Sequence, residues 1–310
     1  MRICILKLFN GRCMQQKHSF KLYLLFMSII LVWGMSWPMN KIGIQYLPPI
    51  WFAALRLLIG TISMFLFLIL QGKWFWPTRK DIPIIFTMGI LQVGLFSTFI
   101  NLGLHYVEAG RSAILTYTTP LWVIPLAVLL FKEKISFLTA VGFVLGMLGI
   151  LVLFSPWSID WSLQKVLVGN GILLLAAICF AISIICARNM QWHHSLLELL
   201  PWQLLVGTVP ILILAALSHP NPEIEWNHLS ISTLIYTGVL STAFGFWGSV
   251  VVSTKLPSIT VSLGLLGVPI CGLIFSMLLL NEPFTTPIKI AIILIPMGLS
   301  CVALGTRKKG

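Results

Sequence analysis

Residues 111–134 read RSAILTYTTPLWVIPLAVLLFKEK and residues 260–283 read TVSLGLLGVPICGLIFSMLLLNEP. No charged residue lies between Arg111 and Lys132, a run of the length that a hydrocarbon core demands of a helix. Each stretch carries a proline at its tenth position and a glutamate at its last but one. A shift of 149 residues takes Pro120 onto Pro269 and Glu133 onto Glu282. Glutamate is scarce in this chain, so that agreement outweighs any match among its many leucines. The same shift takes Asn40 onto Asn189, Gly89 onto Gly238 and Gly149 onto Gly298. A shift of 147 takes Arg56-Leu57-Leu58-Ile59-Gly60-Thr61 onto Gln203-Leu204-Leu205-Val206-Gly207-Thr208.

Outward from this pair, the same character recurs along the chain. Only uncharged residues lie between Lys21 and Lys41, Asp81 and Glu108, Lys134 and Asp160, Lys165 and Arg188, Glu198 and Glu223, Glu225 and Lys255, and Lys255 and Glu282. Pro49 to Leu70 is interrupted by Arg56 alone, and a closing span runs from about Pro287 to Leu304 with Lys289 near its start. With 58% hydrophobic and 9% charged residues among 310, and a mean hydropathy of +0.99, the composition suits a polytopic membrane protein and not a water-soluble globule. The expected fold is all-α and integral to the membrane, with ten transmembrane helices in two five-helix repeats. Five is odd, so the second repeat enters the bilayer in the opposite sense and the repeats are inverted. The expected boundaries are an N-terminal segment 1–21, repeats at 22–154 and 167–304, a linker 155–166 between them, and a basic tail 305–310. Residues 1–13 differ in character from the rest of the chain, and Met14 is a second candidate start.

The net charge of +12 invites a nucleic-acid reading, but its distribution argues for topology. With the N-terminus in the cytoplasm, one side of the membrane holds fifteen of the Lys and Arg, from Arg2 and Lys7 through Lys73, Arg79, Lys132 and Arg188 to Lys309. The other holds only Lys41, Arg111, Lys165 and Lys289. That asymmetry predicts both termini in the cytoplasm, with the linker 155–166 outside. No Lys/Arg cluster forms a nucleic-acid footprint. The six cysteines lie in the leader or within spans with no disulfide or zinc spacing, and no cofactor or metal site is expected.

The motifs Val32-Trp33-Gly34-Met35-Ser36-Trp37-Pro38-Met39-Asn40-Lys41, Ala54-Leu55-Arg56, Pro120 through Lys132-Glu133, and Pro269 through Asn281-Glu282-Pro283 resemble those of the drug/metabolite transporter superfamily, EamA type. The resemblance covers about Leu22 to Leu304. It implies ten helices in two inverted repeats and export of small metabolites or amino acids across a bacterial inner membrane. It names no substrate, because such motifs report fold more than cargo.

Inverted repeats with Pro-interrupted helices at matching positions are the sequence mark of a secondary transporter with a central site. Pro120 and Pro269 each remove a helical hydrogen bond, and the freed carbonyls need a neighbouring helix, a wet cavity or a substrate. Tyr117, Thr118, Thr119 and Trp122 around Pro120, together with Ser262 ahead of Pro269, mark the first place to look for a pocket. Trp33 and Trp37 share a helix face with Asn40 and either line a cavity or fill an interface. Gln92 and Asn101 are polar groups that need partners in hydrocarbon. Arg56, the charge within a span, either pairs with backbone and snorkels or clamps a substrate carboxylate. Glu133 and Glu282, expected at opposite surfaces, are candidates for gating, with capping and interface pairing as the plainer roles.

All eight Asp and Glu lie at or near span ends, which leaves no obvious proton carrier at the midplane, although protons stay open as a coupling ion. The expected function is secondary transport of a neutral or zwitterionic small molecule by alternating access. No nucleophile and base, nor any His and acid cluster, points to an enzyme. A flippase for lipids or lipid-linked intermediates remains the rival, because it would use the same fold. Oligomeric state is not legible.

Overall fold

The structure, a computed structural model, describes residues 2 to 154 and 164 to 307. Most of the linker expected at 155–166, and the end of the basic tail, lie outside the described residues. The helices are α1 (Arg2–Gly43), α2 (Pro49–Leu70), α3 (Ile82–Tyr106), α4 (Ala109–Phe131), α5 (Phe137–Phe154), α6 (Gln164–Asn189), α7 (Leu196–Ser218), α8 (His228–Lys255), α9 (Ser258–Leu265 continued by Gly267–Leu280) and α10 (Thr286–Arg307). Among the described residues there is no strand. Among the described residues nine helices are long and apolar enough to cross a bilayer, and α5 is a shorter apolar helix. Those ten helices form the two inverted repeats.

Helix ends follow local chemistry. α2 opens on Pro49, whose missing N–H falls where a helix has no partner to offer. It closes on Gly72 at φ +64°, with the Lys73 N–H on the Leu68 carbonyl. α7 opens with a reciprocal cap between Ser195 and Glu198, and α8 with one between Asn227 and Ser230. α4 and α9 both end in a left-handed residue, Lys132 at φ 52° and Asn281 at φ 53°. These two positions are 149 residues apart, so the repeat read from prolines and glutamates extends to backbone conformation.

The repeat also appears as two π-helical segments, Met88–Leu95 in α3 and Tyr236–Phe244 in α8. Each coincides with a crossing where glycines let backbones touch. A Cβ on Gly207 of α7 would lie 2.5 Å from the Gly89 carbonyl, and one on Gly60 of α2 would lie 3.0 Å from the Gly238 carbonyl. Lipid tails are as apolar as leucine, so close packing of small residues, not apolar burial, drives such association. Wider π turns let the tight contact form without breaking the helix. Between the crossings, the hydroxyls of Thr61 and Thr208 bond each other at 2.9 Å. α5 and α10 pair closely through Gly142 and Gly298, where a Cβ on either would meet the other's carbonyl at 2.5 to 2.6 Å.

The prolines do not interrupt continuous helices. α4 stops at Thr116 and restarts at Thr119, which puts Pro120 in a fresh first turn, and α9 turns at Leu266 just ahead of Pro269. The expectation that the freed carbonyls turn to a neighbouring helix, cavity or substrate is corrected for α4. There the Thr118 hydroxyl bonds the Leu115 carbonyl at 2.6 Å and the Thr119 hydroxyl bonds the Thr116 carbonyl at 3.1 Å. The chain's own threonines sit close enough to answer the break.

Candidate functional site

Lys21, Lys73, Arg79, Lys80, Lys132, Lys134, Arg188 and Lys255 gather at one end of the bundle, called here the basic face; the other end is the far face. The two broken helices behave differently toward these ends. On the far side, the Gly267–Leu280 part of α9 packs along α1 and on the Ala109–Thr116 part of α4. On the basic side, the Thr119–Phe131 part of α4 lies on α6 and the Ser258–Leu265 part of α9 lies on α10, with no comparable packing between α4 and α9. Pro120 and Ser262 are exposed there, while Pro269 is buried.

At the far face, Glu282 reaches the start of α4. Its carboxylate accepts from the Ala109 N–H at 2.6 Å and the Gly110 N–H at 2.9 Å. The first N–H groups of a helix lack intrahelical partners and carry its positive pole, so an anion is favoured there. Lys41 of α1 donates to the carbonyls of Leu104 and Val107, and Arg111 to that of Leu153. Desolvation, followed by the nearby Glu282 charge, pushes the Glu108 carboxyl above the usual carboxylate range, and Arg111 and Lys41 oppose this. At the basic face the repeat partner Glu133 is half exposed and pairs with Arg188 at 2.6 Å.

Arg56 does not snorkel. It is buried, and its guanidinium donates to Asn40 Oδ1 at 3.2 Å and to Ser97 Oγ at 3.2 and 2.5 Å. Asn101 donates to the Ser97 carbonyl at 2.8 Å, while its own Oδ1 is buried without a partner. Asn40 thus bridges α1 and α2. Gln92 lies in the first π segment with a buried, unpartnered Oε1, and Gln203, the repeat counterpart of Arg56, is buried with Nε2 unpartnered.

Trp33 and Trp37 each fill a helix interface. Trp33 donates to the Ser241 carbonyl of α8 at 3.0 Å and meets the Phe246 ring edge-on. Trp37, 5% exposed, is wedged where Gly272 of α9 faces Ala113 of α4. Tyr117 packs against the apolar clusters that contain each of them. Thr118 and Thr119 are buried, and Trp122 donates to the Thr118 hydroxyl at 3.3 Å. The structure therefore gathers Trp33, Trp37, Tyr117 and the threonines around the α4 break, sets Ser262 apart on the exposed basic side of α9, and links Asn101 to Arg56. Ser97, inside α3, was not singled out in the sequence, because nothing local distinguishes it from other hydroxyls within the spans, and Lys41 and Glu108 read only as charges at span ends. A fourth polar group, near the basic face, joins Asp81 to the Thr78 N–H and hydroxyl and to His194, with His194 Nδ1 2.9 Å from Asp81 Oδ2. Among the described residues no cluster of His, Cys, Asp and Glu is placed to hold a metal.

Residues 20–155 and 167–304 each match the family described as EamA-like transporter family. Among relatives, the uncharacterized transporter YoaV of Bacillus subtilis (strain 168) is 28% identical over 90% of this chain and 95% of that protein. A protein named probable amino-acid metabolite efflux pump, from Salmonella typhimurium (strain LT2), is 24% identical over 90% of this chain and 93% of its own length. A solved crystal structure superposes with a TM-score of 0.61 at 16% identity, over 94% of this chain and 99% of that one, which shows a shared fold.

Proposed function

This chain belongs to the EamA-like transporter family, and from that premise we propose that it exports small neutral or zwitterionic metabolites, amino acids among them, by alternating access. The observation that carries the reading is the pair of broken helices at matching repeat positions, packed together at one end and apart at the other. A path that opens to one face while shut at the other is what transport without a continuous pore requires. The basic face is assigned to the cytoplasm of a bacterial inner membrane on the positive-inside rule, with both termini inside and the linker 155–166 outside. The cargo meets the polar and aromatic groups about the α4 break, with Tyr117, Trp122 and Ser262 bordering the path and Asn101 offering its unpartnered oxygen. The name of the Salmonella relative supports amino acids as the first cargo to try. The far-face acid Glu108 supports protons as a counter-ion.

Purified protein in liposomes loaded with labelled amino acids tests this. Efflux above empty vesicles, lost in a Tyr117→Ala variant that still folds, is the expected result. Scrambling of fluorescent lipid with no flux across a broad metabolite panel replaces the reading with a flippase.

A further inference from the structure

The two ends of the molecule hold equivalent parts in unequal arrangements, and this inequality is informative. Lys132 and Asn281 share a left-handed conformation, so Glu133 and Glu282 leave their helices in the same way. The residues that precede the opposing helices also match: Glu108 (φ −62°, ψ 147°) ahead of α4 and Pro257 (φ −56°, ψ 135°) ahead of α9, again 149 apart. Glu282 has both carboxylate oxygens on the first two N–H groups of α4. Glu133, at the basic face, holds Arg188 at the surface, at 2.6 Å.

Resting on the alternating-access reading above, we propose that Glu282 and Glu133 are alternating latches. In the state described, Glu282 clasps α4 and shuts the far face. In the opposite state Glu282 lets go, and Glu133 leaves Arg188 to accept from the N–H groups of Ser258 and Ile259, shutting the basic face. Each latch is anion on helix pole, strong when dry and weak when wet, so it holds only the end from which water is excluded. The exchange loses one clasp as it gains its twin, and the two states remain close in energy, as a carrier that must visit both requires. Arg188 parks the idle carboxylate; an exposed pair of this kind is weak and releases it readily.

The test reads the two states directly. In a full-length background with the six native cysteines replaced by alanine, Ala113→Cys reports the far side and Ser262→Cys the basic side. Ala113 has no exposed surface while α4 and α9 are clasped, and Ser262 is exposed. Labelling by a membrane-impermeant maleimide, applied from each side of vesicles without any cargo, gives the ratio of far to basic accessibility. Glu282→Ala raises this ratio roughly tenfold, the worth of a lost charge-assisted hydrogen bond; Glu282→Gln raises it less. Glu133→Ala lowers it. Equal ratios in all variants, or shifts of the same sign from Glu133→Ala and Glu282→Ala, overturn the latch. If Glu282→Ala does not fold, Glu282→Gln and Glu133→Ala still give the opposed signs. Opposed shifts in a protein that moves no metabolite leave the latches standing and remove only the cargo assignment.

Discussion

At Arg56 a guanidinium is held within the bundle by the Asn40 carboxamide and the Ser97 hydroxyl, and neither partner carries a charge. Replacing Arg56 with methionine strands two buried polar groups, and the expected cost is about 2 kcal/mol. A thermal-melt comparison in detergent reads this as a lower apparent melting temperature, and restoring the charge with lysine recovers only part because an ammonium cannot fork to both partners. Asp81 offers a second test at the same scale. Desolvation under its loop pushes this carboxyl up, but the bonds from Thr78 and His194 more than reverse it and leave it below the usual carboxylate range. A carboxyl with a lowered folded-state value stabilises the fold above its unfolded value of about 4 and loses that contribution as pH falls through the folded one. The melting temperature of the native chain should therefore fall more steeply below about pH 4 than that of Asp81→Asn. Parallel pH curves would show that Asp81 contributes nothing.

Among the elements, the glycine crossings set how far the helices can part. Gly207→Leu drives a side chain into the Gly89 backbone, which has nowhere to retreat, so folded yield should drop sharply on size-exclusion chromatography. Gly171→Ala, with open space around it, should leave the yield unchanged. These contacts also mark the limit of what the sequence disclosed. The spans and their approximate ends were readable because hydrocarbon imposes length and excludes charge, and the pairing of halves was readable because Pro and Glu are rare here. The π segments were not readable, since a helix widens to suit a neighbour met only in the fold. Nor was the site complete: Ser97 becomes a partner of Arg56 by tertiary proximity, and Trp33 and Trp37, alike in sequence, are turned into different interfaces. The α4 threonines were read as pocket residues, yet their hydroxyls answer the chain's own carbonyls, a local alternative that periodicity does not reveal.

For the whole molecule, the unequal ends have a dependence on acidity. Glu108 faces Glu282, Arg111 and Lys41, and with Glu282 docked its carboxyl is raised by desolvation and by that neighbouring anion. A group that holds its proton more tightly in one state draws the protein toward that state as pH falls. Mild acid on the far side should therefore favour the clasped arrangement and reduce labelling of Ala113→Cys relative to an always-exposed reference cysteine, and Glu108→Gln should remove the dependence. A pH-independent ratio in the unsubstituted protein would detach Glu108 from the cycle. No sequence could have displayed this inequality, because one chain encodes both arrangements and the repeat makes them nearly equivalent. The contact between Thr61 and Thr208 has a different status, since under the internal shift each threonine is the image of the other. Swapping the two ends returns that pair to itself, as an axle keeps its place while a wheel turns. A covalent staple through Thr61→Cys and Thr208→Cys should thus leave turnover running, whereas the same staple set at either rim would stop it.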